Sequence, residues 1–309
     1  MAAGWLVENM RHFCETHRFY ADAFPSVNLD IGPGSLAVYL GSEPVFAWDT
    51  VWFTPCMDDY DTFGPIEYNP GNYWWLEHCR QLRLAKELAC GEFIINTPDL
   101  VENIDILAAM RGPQELCYDI ADCPEKVLER IMQLEQVYFE YFDRLYSITA
   151  EAEGGCGYSM FYVWAPGPMV KVQCDFSAML SPGDFRKLVL PSLSRQCSRL
   201  EFTLYHLDGK EAIRHLDAIM EIDGLNALQW TAGAGQPDGG NKQWYPIYDR
   251  VRSAGKAVWI EVHDGDADEW IASIDRLVQR YGPEGMYLLL PVMDERSAEK
   301  ILDFTEKNW

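Results

Sequence analysis

Positive charge is scarce in this sequence. The 309 residues carry 25 Lys and Arg against 48 Asp and Glu, a formal net charge of −23. So acidic a surface repels phosphate backbones and anionic lipid headgroups over about 8 Å, the Debye length at physiological salt, which excludes nucleic acid and membrane surfaces as partners. Long apolar runs are missing too. The longest, Gly285 to Met293, falls well short of the roughly 20 residues that span a bilayer. The opening residues meet charge at Glu8 without the apolar core of a secretory signal, so a cytoplasmic location is expected.

The nine cysteines are an odd number, 6 to 42 residues apart, with no C-x-x-C pair, a pattern that fits neither a disulfide framework nor a zinc ribbon. No Ser/Gly linker, charge block or fixed-period repeat divides the chain, and one domain over residues 1–309 is expected. The glycine-rich stretch Thr231 to Asn241 has neither G-x-G-x-x-G spacing nor a Walker Lys-Ser/Thr, so it reads as a mobile lid rather than a phosphate cradle. The acidic run Asp58 to Asp61 reads as a solvated loop. Nothing resembles a Ser/His/Asp triad or a papain-type Cys/His pair.

What is present is a recurring unit: a short β-branched or aromatic run, then a capped amphipathic segment. In the clearest example, Lys256 to Val262 is followed by Asp266 and Glu269 as a capping pair. Trp270, Ile274, Leu277, Val278 and Tyr281 then recur at helical spacing before Gly282-Pro283 ends the segment. Further strands are expected at Val27–Asp30, Phe93–Asn96, Tyr158–Trp164, Val172–Phe176, Phe202–His206, Leu225–Trp230 and Met286–Val292. Helices are expected near 72–90, 99–110, 124–149, 182–200, 210–221 and 244–254. Alternating strands and helices, with a strand count approaching eight, predict a parallel (β/α)₈ TIM barrel.

A barrel of this kind carries its chemistry at the C-terminal ends of its strands. The residues expected there are Asp30, Tyr162, Trp164, Asp175, His206, Asp208, Trp230, Glu261 and His263. Trp48, Trp52, Trp164, Trp230, Trp244 and Trp259, with Tyr68 and Tyr162, would line a broad apolar mouth suited to a flat cofactor face or a methylated ammonium group.

Several segments then resemble one family. Ser26-Val-Asn-Leu-Asp-Ile-Gly-Pro-Gly34 is similar to the strand bearing the central aspartate of the uroporphyrinogen decarboxylase superfamily, which includes methyltransferases acting on corrinoids. Asp175 to Phe185 with Leu190-Pro191, Tyr205-His-Leu-Asp-Gly209 and Leu228-Gln-Trp-Thr231 resemble its later strands. The resemblance runs over most of the chain from about residue 20 and implies the same (β/α)₈ fold. The family's arginine-rich segment after the first strand has no counterpart, which leaves that strand missing or supplied irregularly. Its eighth-strand Gly-His-Gly is absent as well.

The methyltransferase branch holds zinc with a His-x-Cys and a further Cys. Here His206 is kept, Asp208 stands in place of the first Cys, and no Cys lies near Pro291. Residues two apart on a strand face the same way, so His206, Asp208, Glu261 and His263 form a candidate hard site for a divalent metal such as zinc. The resulting expectation is an enzyme moving a methyl group between a small methylated compound and a corrinoid or corrinoid protein. Asp30, Asp175 and His206 are its candidate catalytic residues, and Trp52, Tyr162, Trp164, Trp230 and Trp259 its candidate substrate-binding residues. A decarboxylase of a tetrapyrrole or smaller carboxylate, and a non-catalytic ligand-binding barrel, stand as alternatives. Analogy with superfamily members adds a homodimer.

Overall fold

The structure is a computed structural model that describes residues 2–47, 50–101 and 103–309. Trp48, assigned above to an aromatic mouth, lies outside the described residues. By their internal contacts the residues group into two compact units, Met1–Phe202 and Thr203–Trp309.

The C-terminal unit follows the expected strand–helix rhythm closely. Its strands, which we number β8 (Phe202–Asp208), β9 (Ala227–Thr231), β10 (Ala257–Glu261) and β11 (Met286–Leu289), pair in parallel in sequence order. Helices α9 (Leu216–Met220), α10 (Tyr245–Ser253), α11 (Ala267–Tyr281) and α12 (Glu295–Asn308) follow them in turn. The expected capping pair is present in full. The Asp266 side chain accepts from the amides of Asp268 and Glu269, while the Glu269 carboxylate accepts from the Asp266 amide. Ile274, Leu277 and Val278 then bury one face, and Gly282, with φ 77°, ends the helix.

The N-terminal unit is less regular. Its helices are α1 (Ala3–Thr16), α2 (Ser35–Tyr39), α3 (Tyr73–Ala89), α4 (Asn103–Arg111), α5 (Pro113–Asp122), α6 (Pro124–Thr149), α7 (Pro182–Asp184) and α8 (Leu190–Arg199). Helix α6 runs over the residues expected for it. Pro124 opens it, and Val127, Ile131, Leu134, Tyr138, Tyr141 and Leu145 bury one stripe. The strands are short. β1 (Ser26–Val27) pairs in parallel with β4 (Ile94–Ile95), and Thr97 bridges in parallel to Tyr158.

Two hairpins depart from the expected scheme. β2 (Glu43–Phe46) and β3 (Val51–Thr54) form an antiparallel pair that periodicity did not reveal. The strand expected at Tyr158–Trp164 is instead β5 (Cys156–Tyr158) turning through a 3₁₀ segment, Ser159–Phe161, into antiparallel β6 (Val163–Ala165). The next strand, β7 (Met169–Gln173), ends before Asp175, because the amides of Asp175 and Phe176 are taken by the Asp105 carboxylate as the chain winds into a 3₁₀ turn. Among the described residues the strands therefore do not complete the expected ring of eight. What stands is an α/β chain with parallel strands joined through helices. All nine cysteines lie in the N-terminal unit.

Candidate functional site

In the C-terminal unit, strand register sorts the side chains onto two faces. One face carries Leu228, Trp230, Val258 and Ile260, all buried; Trp230 packs its ring 5.1 Å from that of Trp244. Trp230 was expected to line substrate. Alternation along β9 instead turns it to the face opposite Gln229, against the residues that lead into α10. On the other face His206, Gln229, Trp259 and Tyr287 are successive register partners and form one row. Asp208 pairs with Thr231, and Glu261 with Leu289, at the C-terminal strand ends.

Polar contacts fix that row. His206 Nδ1 meets Gln229 Oε1, and Gln229 Nε2 donates to Thr231 Oγ1 at 2.8 Å. A carbonyl oxygen only accepts, so Nδ1 carries the proton and Nε2 is the basic nitrogen of the half-buried imidazole. A metal-binding histidine is typically oriented in this way, as is a general base. Trp259 stacks on Tyr287 with centroids 5.8 Å apart and planes at 8°, giving a flat apolar pair in the same row, beyond Gln229 from the imidazole.

Glu261 and His263 form an exposed pair, with Nδ1 3.5 Å from Oε1, and His263 Nε2 lies 3.9 Å from Asp264 Oδ1. The expected lid is anchored at one end. Buried Asp238 accepts from the amides of Gly240, His263 and Asp264 at 2.9, 2.6 and 2.7 Å, and the Gly239 amide donates to the Glu261 carbonyl. Only Gly233–Gln236 is an exposed stretch. The donors near His206 are imidazole nitrogen and carboxylate oxygen. They suit a divalent cation of intermediate or hard character and do not suit a thiolate zinc site, since this unit holds no cysteine.

In the N-terminal unit, Asp30 is half-buried and its Oδ1 accepts from the Gly32 amide at 3.0 Å. Gly32 and Gly34 have φ of 104° and 86°, and the β2–β3 hairpin presses on them. A Cβ on Gly32 would lie 2.0 Å from Val51 Cγ1, and one on Gly34 3.3 Å from the Phe53 ring. Trp52, proposed for substrate, is on the hairpin's outer face and 67% exposed. Tyr162 is exposed with φ 50°, and the Trp164 indole donates to Glu151 at 2.7 Å.

Two features of this unit were missed by sequence reasoning. Behind Asp30, fully buried His78 donates through Nε2 to the Leu29 carbonyl at 2.6 Å and accepts from the Tyr39 hydroxyl at 2.5 Å. Burial holds this imidazole neutral, with its pKa lowered to about 4. The second is a buried chain that ends at exposed Asp175. Tyr158 donates to Asp99 Oδ1 at 3.0 Å, and Lys171 Nζ lies 2.7 Å from Asp99 Oδ2. Lys171 also donates to Gln173 Oε1, and Gln173 Nε2 donates to Asp175 Oδ2 at 2.8 Å. Burial and the Asp175 charge push the adjoining Asp105 carboxyl up to about 7. One signal was available: in Val-Lys-Val-Gln-Cys-Asp, Lys171, Gln173 and Asp175 alternate with apolar or thiol side chains.

No family model matches the sequence, and no curated protein matches it. Among solved structures, a methyltransferase from Methanosarcina mazei superposes with a TM-score of 0.66, covering 99% of this chain and 86% of that one at 10% identity. A protein from Listeria monocytogenes assigned as a vitamin-B12 independent methionine synthase covers the same shares at 11% identity with a TM-score of 0.49. At such identity the first likeness shows a shared fold.

Proposed function

We propose that the chain is a methyltransferase-like enzyme, related to the corrinoid methyltransferases of the uroporphyrinogen decarboxylase superfamily, that acts on a small methylated compound. The observation that carries this reading is His206. Its Nδ1 proton is committed to Gln229, which makes Nε2 the basic nitrogen, within a chain that shares the fold of a methyltransferase. A methyl group leaves as a cation equivalent, so the departing heteroatom keeps the bonding pair and must be matched with a proton or positive charge. His206, with Asp208 beside it on the same face of β8, supplies a group able to hold that proton.

Where a divalent ion binds, His206 and Asp208 are its proposed ligands, and it would supply Lewis-acid activation of the heteroatom. Trp259 and Tyr287 provide the apolar floor on which the methylated group or a flat corrinoid rests. Asp30 and Asp175 are proposed to orient substrate. A corrinoid, free or carried by a separate protein, is the proposed methyl partner.

The test uses protein purified without added metal, analysed for bound elements and assayed for methyl transfer between methylcobalamin and thiol or amine compounds by the change in corrinoid absorbance. Transfer by the native chain that His206→Ala abolishes and Gln229→Leu reduces would support the reading. Full transfer by a metal-free His206→Ala protein would defeat it.

A further inference from the structure

The polar chain beneath Asp175 has a fixed direction of donation. The ammonium of Lys171 has only protons to give, and it gives them to Asp99 Oδ2 and Gln173 Oε1. An amide side chain can ordinarily flip end for end. Gln173 cannot, because a flip would set its NH₂ group against the ammonium. Its NH₂ is thereby committed to the other side, where one bond goes to Asp175 Oδ2 at 2.8 Å and another reaches the Asp105 carboxyl. Asp105 in turn accepts from the backbone amides of Asp175 and Phe176 at 2.8 and 2.9 Å. Asp175 is gripped twice, through its backbone by Asp105 and through its carboxylate by Gln173.

The cation that sets this arrangement is sealed in. The Lys171 side chain is 0% exposed, Asp99 is 9% exposed, and the Tyr158 hydroxyl closes the far end on Asp99. A buried lysine is costly unless paired and hydrogen-bonded; here one carboxylate balances it, one amide oxygen accepts a further hydrogen bond, and the Phe161 ring centroid lies 5.9 Å from Nζ. A core needing only stability is served as well by an apolar residue in this place.

We propose that Lys171 is a positioning residue: it locks the Gln173 amide in the orientation that holds the Asp175 carboxylate in place for substrate. The inference rests on the reading of Asp175 as a substrate-orienting group, but its first test does not. In ¹⁵N-glutamine-labelled protein, the Gln173 side-chain NH₂ pair is identified by its loss in Gln173→Leu. The ¹³C carboxyl signal of Asp175 is identified by its loss in Asp175→Asn. The double variant Asp99→Asn with Lys171→Met removes the ion pair together and leaves no orphaned charge, so it should be more stable than Lys171→Met alone. In it the NH₂ pair should shift toward the position of a solvated amide, exchange with water at least about tenfold faster as its protection opens, and carry the Asp175 signal with it. Unchanged signals would overturn the proposal.

The second test uses methylcobalamin turnover. The same double variant should lose about tenfold or more in kcat, but nothing further in an Asp175→Asn background. An equal loss in both backgrounds would reveal a merely structural role and overturn the proposal. If the native chain transfers no methyl group, the functional reading falls, and the amide and carboxyl signals still decide the role of Lys171.

Discussion

The two units organise polar side chains in different ways. In the C-terminal unit, parallel register alone sets His206 against Gln229, 23 positions on, and seats Thr231 beside that amide. In the N-terminal unit the cluster around Asp175 joins residues up to 72 positions apart, on a 3₁₀ turn, a helix, a loop and two short strands. A regular strand array brings side chains together at little cost, because the backbone bonds that build the sheet also align its faces. Without that regularity, specific polar contacts take over the aligning. They sit in poorly solvated surroundings where each one matters more.

The contrast can be tested by substitution, with the largest effect expected in the N-terminal unit. Lys171→Met leaves Asp99 buried and unpaired, and should cost about 3–5 kcal/mol in urea unfolding. Removing both partners together should recover most of that loss; equal losses would mean the pair is not the source. Next comes Gly32→Ala. Its left-handed φ and its closeness to Val51 predict a loss of about 1–3 kcal/mol, read as a fall in Tm. In the C-terminal unit, Asp266→Ala should remove one leg of a local cap, at about 1 kcal/mol. A loss as large as that of Lys171→Met would erase the distinction drawn here.

A further expected effect concerns pH. The Asp105 carboxyl is raised from its ordinary 3.8 to about 7, so the folded chain binds its proton more tightly than the unfolded chain. Stability from this group is therefore highest below the ordinary value, declines as pH climbs through that interval, and levels off above about 7. Part of the side chain remains accessible, and solvent moderates the change. Asp105→Asn should flatten the dependence of Tm on pH between 5 and 8; a slope identical to that of the native chain would contradict the assignment.

The same contrast explains what could be read in advance. The full span of α6 and the cap of α11 were legible because their signals lie within a few turns of chain: Pro124 at a helix start, Asp266 with Glu269, an apolar stripe. His206 and Asp208 were legible because two-residue alternation places them on one face. Trp230 lies one step of that alternation away, on the opposite face, against Trp244. The β2–β3 hairpin gave no periodic signal, because its outer face carries Val45 and Trp52 exposed where a soluble hairpin would ordinarily be polar. Lys171, Asp105 and His78 acquire meaning only through partners dozens of residues away, and no local pattern encodes which partner that is.

The confinement of every cysteine to the first 197 residues gives the molecule an asymmetric chemical label. Cys79, Cys156, Cys174 and Cys197 are buried there. Alkylating reagents will thus register loosening of that portion alone, while oxidants and heavy-atom compounds leave the remaining 112 residues (309 − 197) without a thiol target. Timed modification read by mass spectrometry would follow the opening of the cysteine-bearing portion with no engineered probe.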